Sequence, residues 1–351
     1  MTPLKLLALI VTVLLAVQPI TAIPHKKPSR QKPHKENKPK SSTTSKSSTN
    51  SSILTGEHPT QKLSEDVPQA HGLALNWTTS VSTLTINRNA RFNDGVAVLT
   101  STVNTIQFFG RLAAVAYCDF VNTFTCGSYC NGFPGTVIVK TFNTPKTSTI
   151  GYIARNDGSK AIYVTYRGSS NLVNFIYDLQ FSFDDYSPAK NGARVHSGFL
   201  ASYRDARDIV YNTVVDQMAK HPGYTLYMIG HSLGSAVAVL QTLDFYNNAG
   251  YNNRNMIIYT FGQPRIGNPA FASYVDSLGL SFHRTINQND IVPHVPPMLF
   301  GYKHHTSETW IEDSQGDVVL CSTVEDSTCS NSVIPWTTSP SPKIFAEPDL
   351  R

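Results

Sequence analysis

This chain of 351 residues predicts an α/β fold with a largely parallel sheet covered on both faces, and three observations predict it. Short apolar runs alternate with segments of helical period, the pattern of strands joined by crossover helices. One of those runs, Tyr224 to Ile229, leads straight into Gly230-His231-Ser232-Leu233-Gly234, the G-x-S-x-G arrangement of a strand, a sharp turn and a helix. No internal repeat is visible, and about 250 residues of this pattern make one domain.

The elements run in order along the chain. Leu99 to Tyr117 reads as a helix with Val103, Ile106, Phe109, Leu112 and Ala113 on one face. Thr136 to Phe142, Ser148 to Arg155 and Ala161 to Tyr166 read as strands, the last two joined into a hairpin by Asn156-Asp157-Gly158. Arg207 to Lys220 is an amphipathic helix leading into the strand before Gly230, and Ser235 to Asn247 is the helix after it. Met256 to Phe261 and Ser281 to Ile286 are further strands, and beyond them the Pro-rich loop Pro293 to Pro297 breaks the alternation.

The first quarter is different in kind. Met1 to Ala22 carries Lys5, the apolar run Leu6 to Val17 and the small pair Thr21-Ala22, a secretory signal peptide too short in its apolar part to span a membrane. Residues 23–93 form a leader rich in Lys, Pro, Ser and Thr, expected to be disordered because it has too little apolar surface to offset ordering entropy. Nine basic residues lie between Lys5 and Lys46 against the single acid Glu36. The net charge of +5 therefore belongs to the leader, and a nucleic-acid partner is not expected. Asn50-Ser51-Ser52 and Asn76-Trp77-Thr78 are glycosylation sequons. Residues 94–351 are the expected folded domain. Five cysteines in a secreted chain predict disulfides with one thiol left over. Cys126 with Cys130, and Cys321 with Cys329, are close enough to close locally, which leaves Cys118 alone. No histidine stands at finger-like spacing from them, so no metal is expected.

The residues suited to chemistry cluster around Ser232. A serine hydroxyl is a weak nucleophile and needs a base with a third group to orient it. After an elbow serine, the acid is expected first and the histidine last. Asp290 directly follows the apolar strand ending at Ile286, where active-site groups of open α/β sheets gather; a loop-capping role is the competing reading. Among the following histidines, the adjacent pair His304 and His305 cannot be separated by composition. Ala161 to Tyr166 ends in Arg167-Gly168-Ser169-Ser170, a place for a donor to developing negative charge, paired with the Leu233 N–H at the start of the helix. Leu172, Phe175, Ile176 and Leu179 then recur at helical spacing, an amphipathic surface helix placed to cover the serine as a lid.

Taken together, Tyr166-Arg167-Gly168-Ser169-Ser170, Val195-His196-Ser197-Gly198-Phe199, the elbow, Phe261-Gly262-Gln263-Pro264-Arg265-Ile266-Gly267 and Asp290-Ile291-Val292-Pro293-His294 resemble the filamentous-fungal class 3 triacylglycerol lipases of Rhizomucor and Rhizopus type. The resemblance runs from about Asp94 to Trp336. It implies an α/β-hydrolase fold and a triad of Ser232, Asp290 and His304, the last chosen over His305 because Gly301-Tyr302-Lys303-His304 fits a Gly-aromatic-x-His pattern. It implies Ser169 as the oxyanion serine, residues 170–183 as the lid, and a cleaved pro-segment. Three departures stand out: Phe175 where relatives carry Trp, Ser235 in place of a glycine with a slightly looser helix packing expected, and a tail, Thr337 to Arg351, unlike the family's end. That end supplies the cysteine that pairs with the equivalent of Cys118, so Cys118 is expected to be free.

The expectation is a secreted, monomeric serine hydrolase that cleaves triacylglycerol esters through an acyl-enzyme at a lipid–water interface, with no cofactor. The alternatives are a feruloyl or other soluble-ester esterase, a phospholipase A1, or a catalytically dead lipid-binding protein.

Overall fold

The computed structural model describes residues 86–92, 97–312 and 317–338, all within the compact unit Leu63–Arg351. The signal peptide, both sequons and most of the leader lie outside the described residues. A ten-stranded sheet organises the domain in the order β2-β1-β12-β11-β10-β9-β8-β5-β4-β3. The strands are β1 Ile86–Phe92, β2 Ala97–Leu99, β3 Thr136–Asn143, β4 Ile150–Asn156, β5 Ala161–Tyr166, β8 Thr225–His231, β9 Met256–Phe261, β10 Ser281–Asn287, β11 Glu308–Ile311 and β12 Val318–Leu320. A separate antiparallel pair joins β6 Phe183–Asp185 to β7 Arg194–His196. The helices are α1 Thr100–Val115, α2 Ser128–Asn131, α3 Leu172–Asp178, α4 Ser197–Lys220, α5 Leu233–Asp244 and α6 Pro269–Ser277.

The centre of the sheet, β5-β8-β9-β10-β11, is parallel throughout; β4 and β5 form the hairpin read from the turn at Asn156, and β3 joins β4 antiparallel. Alternation along the central strands supplies two cores, because successive side chains point to opposite faces. Tyr163, Tyr227, Ile229 and Tyr259 meet Ile106, Phe109 and Leu112 of α1 on one side. Ile162, Val164, Leu226, Met228 and Ile258 meet Ala206, Val210 and Val214 of α4 and Val237 and Ala238 of α5 on the other. Such double coverage is why these strands read as unbroken apolar runs.

Three expectations change. The folded region begins earlier than residue 94, since β1 pairs with both β2 and β12; its sequence, Ile-Asn-Arg-Asn-Ala-Arg-Phe, is too polar to announce a strand. The helix expected from Arg207 starts at Ser197, where the His196 Nδ1 accepts the Gly198 and Phe199 N–H groups as a cap. The disulfides are Cys118–Cys126 and Cys321–Cys329, and the lone thiol is the buried Cys130. Sequence spacing favoured the nearer partner for Cys126, whereas the end of α1 carries Cys118 to it.

Candidate active site

Ser232 caps α5 with φ 54° and ψ −130°, a left-handed backbone that a serine adopts only under constraint. The constraint comes from packing. A Cβ on Gly230 would lie 2.5 Å from the Gly234 carbonyl oxygen and from the Ser235 Cα, and one on Gly234 would collide with the Tyr166 carbonyl. Both glycines of the motif are therefore required by close approach of helix to strand. Ser235 fits without loosening this contact: it is fully buried, and its hydroxyl donates to the Phe261 carbonyl at 3.1 Å. Leu233, as the first residue of α5, has an N–H without an intrahelical acceptor.

The segment Gly168–Ser169 sits beside the serine. A Cβ on Gly168 would lie 2.7 Å from the Ser232 Cβ, so the end of β5 touches the elbow. Ser169 turns its hydroxyl toward Asn171, donating to the Asn171 carbonyl at 3.1 Å and accepting its N–H at 3.2 Å. Asn171 in turn caps the lid helix α3 by accepting the Asn174 N–H at 3.0 Å. Leu172, Phe175, Ile176 and Leu179 form the half-buried face of this segment while Val173 and Tyr177 are exposed. Phe175 and Leu179 pack on the α4–α5 core. Ser232 itself is 1% exposed, and its Oγ has no hydrogen-bond partner.

Asp290 lies at the carboxyl end of β10, one strand beyond β9 and two beyond the serine's own strand. A Cβ on Gly262, at the end of β9, would lie 2.7 Å from the Asp290 Oδ2 and 3.8 Å from the His231 Nε2. The acid thus faces the elbow region. Burial lifts its carboxyl to about 6, opposed by the Val292 N–H donating at 2.9 Å.

His304 is a correction. Its Nε2 bonds the Pro293 carbonyl at 2.8 Å, its Nδ1 has no partner, and its backbone N–H donates to Glu325 at 3.0 Å. Burial, then the nearby Arg284 guanidinium, hold the ring well below the usual histidine range. It belongs to a buried network in which Arg265 joins Glu325 at 2.7 Å and the His294 carbonyl at 2.6 Å. His305 is also committed elsewhere, bonding Thr306 at 2.9 Å and Gln263 at 3.1 Å. Among the described residues no histidine nitrogen bonds Ser232 or Asp290, and residues 339–351 contain no histidine. The Gly-aromatic-x-His spacing says where a histidine falls in sequence, not which way its ring turns.

Sequence reasoning also missed Tyr117. Its hydroxyl accepts the Gly168 N–H at 2.9 Å and lies 2.6 Å from the His231 Nδ1, connecting the Gly168–Ser169 segment to the residue before Ser232. Only its place at the end of the α1 pattern, beside Cys118, could have suggested it.

A strained elbow serine, a helix N-terminus and a buried acid two strands away at the same end of the sheet define a serine hydrolase of the α/β-hydrolase class. The class 3 lipase family model matches residues 163–300. The chain is 40% identical over 282 residues to a lipase of Rhizomucor miehei, covering 78% of this chain and 77% of that one. It is 41% identical over 253 residues to a lipase of Rhizopus niveus, covering 70% and 64%. The structure of the Rhizomucor miehei triacylglyceride lipase superposes with a TM-score of 0.65 at 40% identity, covering 68% of this chain and 92% of that one. The chain belongs to the class 3 lipase family.

Proposed function

We propose that the protein is a secreted, monomeric lipase that cleaves triacylglycerol esters through Ser232. The observation that carries this is the elbow itself: a serine held at φ 54° beside the Leu233 N–H and the Gly168–Ser169 segment. The Ser232 Oγ would attack the ester carbonyl, a water molecule taking its proton because no described histidine reaches it, and the Leu233 N–H and the Ser169 hydroxyl would hold the oxyanion. Asp290 keeps a buried carboxyl with one N–H donor, facing the elbow region across Gly262. Water then releases the acid. The half-buried apolar face of α3 favours a water-insoluble ester over the soluble ones of a feruloyl esterase. A serine-directed phosphonate should label Ser232, and hydrolysis of emulsified triolein should disappear in Ser232→Ala; triolein hydrolysis that persists in Ser232→Ala sinks this reading.

One observation favours a second reading, a lipid-binding protein with little turnover: no described histidine reaches Ser232 or Asp290. Losing the base of a serine triad typically costs on the order of 10⁶ in turnover. The two readings separate on added imidazole. A chain that lacks its base gains ester turnover with imidazole concentration, and a chain with a full triad does not.

A further inference from the structure

We infer that a cavity at the opposite end of α5 from Ser232 binds a small neutral polyol, up to a single hexose in size. The cavity holds about 180 Å³. Its walls come from the connection between β6 and β7, from α4, and from the last turn of α5 with the π turn Phe245–Ala249 that follows. Such π turns occur frequently at functional sites. The 12 residues of α5 separate the cavity from the elbow, on the order of 18 Å of helix. The site is therefore apart from the proposed ester chemistry and stands without it.

One wall is already satisfied. The Asp244 carboxylate is 4% exposed and accepts from Arg207 Nε at 2.9 Å, Gln241 Nε2 at 3.3 Å and Asn248 Nδ2 at 2.6 Å. Other groups of the lining still have bonding capacity. Tyr186 is 5% exposed, yet its hydroxyl has no hydrogen-bond partner among the described residues. Burial holds its phenol above the usual tyrosine range, so the hydroxyl keeps its proton. Asn248 donates its amide to Asp244, which leaves its Oδ1 as an acceptor. Asn247 accepts the Tyr274 hydroxyl at 3.0 Å, which leaves its Nδ2 as a donor. Arg204 offers only donors and Asp185 only acceptors, and neither has an ion-pair partner among the described residues.

Free donors and free acceptors within one small space match hydroxyl groups, each of which both donates and accepts. A carboxylate would meet Asp185 and the Asn248 Oδ1 with no proton to give, and a cation would meet Arg204. The charged residues of the lining, Asp185, Arg204, Arg207 and Asp244, sum to zero. Asp184 and Lys190 on the hairpin beside it cancel, and Asp208 meets Arg207 at 3.0 Å from outside the lining. The lining thus carries no net charge to select an ion. Leu200, Pro188 and Tyr203 add apolar surface that can cover the C–H face of a sugar ring. The volume is below the roughly 300–1,000 Å³ of pockets for drug-sized molecules, so one ring is the limit.

Binding to the full chain is measured by saturation-transfer NMR with glucose, galactose, mannose and glycerol, and with gluconate and protonated glucosamine as charged counterparts. At least one neutral probe should bind saturably in the millimolar range. Tyr186→Phe removes the hydroxyl, keeps the ring, and should weaken that binding about five- to tenfold, the scale of one hydrogen bond. Arg204→Ala breaks no ion pair of the free protein and should weaken it by a similar factor. Ser232→Ala should leave it unchanged. The proposal is overturned if no neutral probe binds saturably, or if either Tyr186→Phe or Arg204→Ala keeps full affinity. Tighter binding of gluconate or glucosamine than of every neutral probe, or affinity lost in Ser232→Ala, also overturns it. Binding is read without turnover, so a chain that binds a polyol but hydrolyses nothing defeats the lipase reading and leaves this site standing.

Discussion

The Tyr117 hydroxyl lies 2.6 Å from the His231 Nδ1 while accepting the Gly168 N–H at 2.9 Å. With Gly168 donating to the oxygen, the phenol's own proton is available to Nδ1, which assigns His231 as the Nε2–H tautomer. Burial keeps both partners neutral, pushing Tyr117 up to about 12 and His231 down to about 4. Tyr117 thus ties the Gly168–Ser169 segment and the residue before Ser232 to one atom. As a positioning residue, it should affect the transition state more than substrate binding. Tyr117→Phe is expected to lower kcat on a monomeric ester about tenfold with KM unchanged, less than the 10²–10³ of losing a direct donor. Equal changes in kcat and KM, or none, would remove the role.

His304→Ala tests the corrected assignment. The Pro293 carbonyl loses its partner, so unfolding by urea should reveal a loss of roughly 1–3 kcal/mol. Phosphonate labelling of Ser232 per folded molecule should stay at the unmodified rate. A collapse of labelling with stability intact would return His304 to the triad.

Asp290 sets a pH dependence. Its folded carboxyl, near 6, lies above the ordinary value of 3.8, so the native state holds this proton more tightly than the unfolded chain. Stability contributed by the protonated acid is present below about pH 4 and is lost as pH rises through 6. Asp290→Asn keeps an acceptor for the Val292 N–H and should raise stability above pH 6 by up to about 3 kcal/mol. The same substitution should abolish any acid limb near pH 6 in the pH profile of ester turnover, which a stopped assay at constant ionic strength can follow.

The cysteines give a direct chemical readout. Thiol titration should find none in the native protein and one, at Cys130, after denaturation without reductant, because Cys130 is buried and the other four cysteines are bridged. Cys118→Ser with Cys126→Ser opens a loop of sequence separation 8 and should cost about 2–3 kcal/mol.

Much of the fold was legible because its signals are local. The apolar runs of β5, β8 and β9 announce buried strands, and Gly230 and Gly234 announce the elbow through close packing that only glycine permits. The lid face was legible from the spacing of Leu172, Phe175, Ile176 and Leu179. What escaped depends on direction in space. His304 and its neighbour His305 share one sequence neighbourhood, yet both rings turn away from Ser232, His304 toward Pro293 and His305 toward Gln263. Cys126 lies closer in sequence to Cys130 than to Cys118, and the end of α1 makes the farther one its partner. Tyr117 lies 114 residues from His231, a separation no periodicity can bridge. β1 is an edge-region strand whose polar residues match a leader as well as a sheet.

The main chain passes the acid loop at the far end of the described fold: Thr337 bridges Asp290, and the Ile291 N–H donates to the Thr337 carbonyl at 3.0 Å. Anything grafted just after Thr338 therefore starts out beside the main chain of the acid loop. For protein production this decides where an affinity handle goes. A polyhistidine tag placed there would bring imidazoles to the acid loop, and assays on such a fusion would report the handle's chemistry along with the protein's.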